Sequence, residues 1–311
     1  MRRPRWAALS ATTRIILLSV GAIIMIIPFI YMVSTSFKTA TYVFTTPPEF
    51  IPNPATTANY EQAFATGDFG RYFLNSLIVA TISTAISLLV SSMMAYAFAR
   101  FSFRGKEAIF RVLLLGLMIP AIMLIIPQFI LAKNLHLLDS LAGLILFYVA
   151  GSLSLNTFLL RGFFESIPAE LDQAMQVDGA GPWRRYWRLA LPLAKPGLAT
   201  ATIFTFLACW DEFTLALTLT NSPANQTLPI AIRLFAGSGN NAVQWGLVFA
   251  ASVIAVVPVI VPEVMSFPET GPPPPPPEPP RGNGNGHRHG RVAPAGTAAR
   301  GGGAWLVTGE R

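Results

Sequence analysis

Long uncharged apolar runs alternate with short polar, basic stretches along most of the chain. Four runs carry no charge at all: 15–37, 72–99, 112–132 and 140–160. A fifth, 196–220, is apolar except for Asp211 and Glu212, and a sixth covers about 243–261. A bilayer core about 30 Å thick is crossed by roughly 20 helical residues. The pattern therefore predicts an all-α integral membrane protein: a six-transmembrane-helix bundle over 15–262, behind a basic N-terminal stretch at 1–14.

Run 15–37 sits behind Arg2, Arg3, Arg5 and Arg14, as the core of a secretory signal would. It is too long for a signal core and no small-x-small cleavage site follows, so it reads as a retained helix. Pro28, Pro120, Pro127 and Pro258 fall inside spans. Neighbouring helices can satisfy the carbonyls such prolines free, so they read either as kinks in a channel wall or as ordinary membrane-helix composition.

Orientation follows from the cations in alternate loops. The N-terminus, the 100–111 loop (Arg100, Arg104, Lys106, Arg111) and the 161–195 segment (Arg161, Arg184, Arg185, Arg188, Lys195) hold thirteen. The opposite loops hold four: Lys38, Arg71, Lys133 and Arg233. Both termini are expected in the cytoplasm. The 38–71 segment, punctuated by Pro47, Pro48, Pro52 and Pro54, reads as an ordered cap or a short interfacial helix near 59–64.

Composition narrows the class. Apolar residues make up 52% and charged residues 12%, with a mean hydropathy of +0.51, whereas soluble domains carry about 25% charge. A soluble globular enzyme is excluded. The net charge of +7 sits in short clusters between apolar runs, so nucleic acid is not an expected partner. Cys209 is alone, which excludes an intrachain disulfide and a multi-cysteine metal site. His136, His287 and His289 have no matching ligand set, and no catalytic residues or metal site are predicted. No G-x-x-x-x-G-K-[ST] loop occurs, so the chain cannot cradle ATP phosphates in that way. Energy must come from another chain or from an ion gradient.

The most informative polar stretch is 165–193, ESIPAELDQAMQVDGAGPWRRYWRLALPL. Ser166 can cap a helix with Pro168 in its first turn, and Glu170 and Asp172 then suit the positive end of its dipole. Leu171, Ala174, Met175 and Asp178 share a face at helical spacing. Gly179 suits a left-handed helix end, and Gly181-Pro182 can start a second helix carrying 183–190. The prediction is a helix-turn-helix knob over 166–190. An interfacial loop, with Trp183, Arg184, Arg185 and Arg188 at the headgroup plane, accounts for the same composition. Asp211 and Glu212 are the acids well inside a predicted span, and intramembrane carboxylates are functional candidates. Trp210 beside them could stack on a sugar ring. Alternatively the helix breaks there so that both acids meet cavity water, or they pair with polar groups of a neighbouring helix.

The 165–193 stretch resembles the cytoplasmic EAA loop of ATP-binding-cassette importer permeases, whose pattern is close to E-L-E-E-A-A-x-I-D-G-A followed by L-P-L-x-x-P. Glu170, Leu171, Asp172, Ala174, Val177, Asp178, Gly179, Ala180, Leu191, Pro192, Leu193 and Pro196 match it, while Gln173 and Met175 depart from it. Residues 45–64, 75–106 and 210–219 look like the carbohydrate-uptake branch, of the maltose-transporter second-permease type. Glycerol-phosphate importer permeases look similar. The family pattern W-N-E-F matches Glu212 and departs at Asp211.

The resemblance covers about 40–261 and implies a sugar importer permease in a bacterial plasma (inner) membrane. Its implied partners are a second permease, two ATPase subunits holding ATP and Mg, an extracytoplasmic solute-binding protein and the lipid bilayer, with no cofactor on this chain. The ATPase-docking loop would use Glu170, Asp172, Gln173, Ala174, Asp178, Gly179 and Ala180. Trp210, Asp211 and Glu212 would border the translocation path. The alternative is a secondary transporter coupling protons through Asp211 or Glu212. Past 262 the character changes, with ten of 26 prolines and ten of 24 glycines in 268–311. A disordered tail over 263–311 is expected, as a reading-frame shift in a GC-rich gene would produce. The other frames of the DNA test that origin.

Overall fold

The computed structural model describes residues 5–39, 42–43, 49–65, 68–237 and 243–266, with side chains described from 12 to 260. The tail expected over 263–311 lies almost wholly outside the described residues. The described chain is helical, and its one β pairing is a single bridge between Lys38 and Ala55.

The first helix, α1 (Arg5–Ser36), is apolar on every side and exposed from Ile15 to Ile30. A helix without a polar face needs lipid or another protein around it. At its far end, Ser36 and Lys38 enter a knot with α2 (Ala58–Ala65), where Asn59 Nδ2 donates to the carbonyls of Ser36 and Lys38 at 2.8 Å. The buried Lys38 ammonium donates to the Glu49 carbonyl and lies 4.9 Å from the Tyr31 ring centre.

Packing centres on α3 (Phe69–Arg100), whose buried stripe holds Ser76, Ala80, Ser83, Ser87, Ser91 and Ala95. Small side chains let helix backbones approach closely, which is how membrane helices gain contact without a hydrophobic driving force. The next span is bent by 95° between Lys106–Met118 and Ala121–Asn134. It comprises α4 (Lys106–Leu115), two short 3₁₀ segments and α5 (Ile125–Asn134). The break falls at Ile119-Pro120, where Ile119 is extended at ψ 117°, as a residue before proline prefers. The run expected to span over 112–132 thus bends at Pro120, one of the prolines that could be read as a kink.

Ser140 caps α6 (Leu141–Ser166) by accepting from Gly143 N at 3.1 Å. Short helices α7 (Ala169–Val177), α8 (Pro182–Arg185) and α9 (Leu191–Leu193) follow, with a π segment at Tyr186–Ala190. Then α10 (Lys195–Trp210) turns 76° away from Pro182–Leu193. It stops at Trp210, so the run over 196–220 is broken at 211–213, one of the alternatives its two acids left open. The chain resumes as α11 (Thr214–Leu219), α12 (Leu228–Phe235) and α13 (Trp245–Ser266). Among the described residues, three helices are long and apolar enough to cross a membrane, or up to five if each bent pair counts as one span.

Candidate functional site

Two regions gather the candidate residues. The first lies at the basic end of the bundle. The preceding helix runs through Ser166, whose hydroxyl donates to the Phe163 carbonyl at 2.8 Å, and Pro168 occupies the cap position of α7. The expected Ser166 cap is therefore corrected: that hydroxyl closes α6 instead of opening α7. Glu170 and Asp172 sit in the first turn of α7. At its end Gly179 adopts φ 75°. Gly179 N donates to Gln176 O at 3.0 Å and Ala180 N to Met175 O at 2.9 Å, the paired bonds of a Schellman ending.

The candidate residues of this region separate by direction. Glu170, Gln173, Ala174, Asp178 and Gly179 are exposed, whereas Ala180 is buried. Val177, at the tip of α7, is 88% exposed, the most open of the large apolar side chains described. Asp172 turns inward, accepting from Arg185 Nη1 at 2.6 Å. Tyr96 of α3 directs its hydroxyl at the same carboxylate from 3.5 Å.

The second region surrounds the break at 211–213. Trp210 is 2% exposed. Its Nε1 donates to Ala255 O of α13 at 3.1 Å, and its ring stacks on Phe206 and meets Phe73 edge-on. The expected sugar-stacking role of Trp210 is corrected, because its ring is buried against Phe206 and Phe73 and its N–H is held by Ala255, with only its margin reaching the hollow at Asp211. The two acids diverge. Asp211 is exposed and opens onto a hollow of about 410 Å³ that also holds Arg233.

Glu212 borders a different cavity of about 420 Å³, enclosed by the bent span, α6, α10 and α11. Its Oε2 accepts from Tyr148 OH at 2.7 Å and Ala216 N at 2.9 Å, and its Oε1 accepts from Leu215 N at 2.7 Å. Three donors make an intramembrane carboxylate tolerable, and two of them are the otherwise free N–H groups at the start of α11. Gln128, Ser152, Asn156 and Thr205 add polar groups to an otherwise apolar wall. Asn156 and Thr205 satisfy each other at 2.8 and 3.0 Å.

Sequence reasoning missed Tyr148 and its neighbours. The signal was present: Tyr148, Ser152 and Asn156 recur every four residues within an apolar run, which places them on one face of a helix.

Apolar helices that break beside a hollow bordered by Gln128, Tyr148, Ser152, Asn156 and Glu212 fit a membrane transport protein. Residues 87–266 match the family described as binding-protein-dependent transport system inner membrane component, and the chain belongs to that family of ATP-binding-cassette importer permeases. It is 36% identical over 256 residues to a diacetylchitobiose uptake system permease of Streptomyces coelicolor, covering 82% of this chain and 83% of that one. It is 37% identical over 234 residues to a sulfoquinovosyl glycerol transport system permease of Agrobacterium fabrum, covering 75% and 81%. A bacterial ABC transporter involved in importing the acidic polysaccharide alginate shares the fold, with TM-score 0.73 at 23% identity over 86% of this chain and 99% of that one. The protein is thus a transport subunit and not an enzyme. The comparisons give no support to the proton-coupled alternative.

Proposed function

We propose that this chain is one of two permease subunits of a bacterial importer for a sugar or sugar-like solute. It crosses the membrane six times, with the two bent pairs and α13 completing the count and both termini in the cytoplasm. Two ATPase subunits holding ATP and Mg supply the energy, and an extracytoplasmic binding protein delivers the solute. The 166–190 module docks on an ATPase as a helix-turn-helix knob and switches the pathway between outward and inward access. Such switching requires the knob to be held more tightly in one ATPase state than in the other. The solute passes beside the cavity bordered by Glu212.

The observation that carries this reading is the outward presentation of Glu170, Gln173, Val177 and Asp178 on a short helix closed by Gly179. A projecting helix tip with an open valine suits insertion into a cleft of another protein. The named solutes of the relatives, diacetylchitobiose and sulfoquinovosyl glycerol, support a sugar-like cargo.

Reconstitution tests the proposal. Uptake should require ATP, the ATPase subunits and the binding protein together. Uptake driven by a proton gradient in their absence would refute it.

A further inference from the structure

The module's exposed tip has an inward-facing base, and that base leads to α3. Ser92, Tyr96 and Arg100 recur every four residues and form one stripe on the final turns of that helix. Each of the three holds the module or its approach. Ser92 Oγ pairs with Tyr186 OH at 2.7 Å in a buried contact. The Tyr96 ring packs on Tyr186 and Phe164 with centres 5.3 and 5.8 Å apart. One Arg100 nitrogen donates to the carbonyls of Phe164 and Ile167, at 2.9 and 2.6 Å, and so closes the end of α6.

Asp172 and Arg185 complete this base. Their side chains are only 15% and 11% exposed, and Arg185 Nε is buried without a hydrogen-bond partner. Asp172 is the acid that balances Arg185 among the described ion pairs. If Asp172 turned outward to meet an ATPase, it would leave a guanidinium buried and uncompensated, which is strongly unfavourable.

At its other end α3 grips the segment between α11 and α12. Asn75 Nδ2 donates to the carbonyls of Ala224 and Gln226, at 2.9 and 2.8 Å, and Ser76 Oγ accepts from Leu228 N at 2.8 Å. A continuous helix of 32 residues, about 48 Å long at 1.5 Å per residue, therefore joins the module to the 221–235 segment.

We infer that Asp172 is a positioning residue of the module rather than an ATPase contact, and that α3 carries the module's displacement across the membrane to the 221–235 segment. The inference rests on the coupling role proposed above for the 166–190 module. It assigns α3 to transmission.

The test uses the full complex in nanodiscs, with Cys209→Ser as background and spin labels at Ile51→Cys and Asn221→Cys. The inter-label distance is compared between nucleotide-free and ATP–vanadate states, and co-purification of the ATPase subunits is measured alongside. The nucleotide-dependent shift should be present in the parent and lost in Asp172→Asn while the ATPases still co-purify. It should return in the exchanged pair Asp172→Arg with Arg185→Asp. Ser92→Ala, which weakens the same base without altering charge, should reduce the shift. A full shift in Asp172→Asn overturns the inference, as does loss of the ATPases from Asp172→Asn but not from Arg185→Met. No shift in the parent, with no ATPase retained, overturns the coupling role itself and the inference with it.

Discussion

Removing the Tyr148 hydroxyl should loosen the break between α10 and α11 in a way that depends on Glu212. In Tyr148→Phe, Glu212 Oε2 keeps only Ala216 N, at 2.9 Å, and loses its 2.7 Å partner. A hydrogen bond to a charged group contributes about 1.5–3 kcal/mol, and that is the expected cost. Glu212→Gln is more severe. Its amide has one acceptor oxygen where Leu215 N and Ala216 N each bond a separate oxygen, so one backbone donor faces the amide nitrogen and the Tyr148 hydroxyl must turn to accept or lose its charged partner. About two charge-assisted bonds are lost, roughly 3 kcal/mol or more. In the double variant the Tyr148 donor is already gone, so the costs should fall short of their sum by about 1.5 kcal/mol, near a tenfold effect on the unfolding equilibrium. Denaturant titration of the purified subunit, followed by tryptophan fluorescence, measures all four corners of the cycle. Costs that add to within about 0.5 kcal/mol would refute the view that these residues act as a unit.

Gly179→Val should uncouple ATP hydrolysis from uptake without preventing membrane insertion. A left-handed conformation costs an L-residue about 1–2 kcal/mol, and φ is 75° there; unchanged uptake per ATP would count against the docking role. Gly197→Ala should destabilise by about 1–3 kcal/mol, since its Cβ would run into the Phe163 ring. Phe163→Leu in the same chain should recover part of the loss in a thermal melt. The Asp139 carboxyl is held below its ordinary range by the backbone N–H groups of Ser222 and Asn221. Its folded value lies below its unfolded value, so its contribution is present above the unfolded value, about pH 4, and fades as pH falls through the folded one. Proteolysis of the 221–235 segment across this range should accelerate on acidification in the parent, and Asp139→Asn should remove the dependence.

Three long helices were legible because each is an apolar run of membrane length, and α2 was legible from the polar stretch around Asn59 that follows Pro54. The bend at Ile119-Pro120 was not, because Pro28 and Pro258 sit inside α1 and α13 without interrupting them. What distinguishes them is packing, which a single chain's pattern does not contain. At the break after Trp210, the acids were visible as anomalies in an apolar run. Their fates were not, since Glu212 is satisfied by a tyrosine 64 residues away, and Asp211 meets a hollow instead. Arg100 reads equally well as a headgroup cation; only the fold brings the carbonyls of Phe164 and Ile167 beneath it. Likewise Asp172 matched a loop pattern by residue type, while its direction was set by Arg185 on the following helix.

The principal neighbour of α1 is α13, which begins about two hundred residues later. Ribosomes add roughly 5–20 residues per second, so α1 waits on the order of 10–40 s for its mate during synthesis. A segment so uniformly greasy can spend that interval alone in the bilayer without penalty. The serine-bearing α3 is better served quickly, and α6, emerging far sooner, shields it. Order of birth and tolerance of solitude are thus matched along the polypeptide.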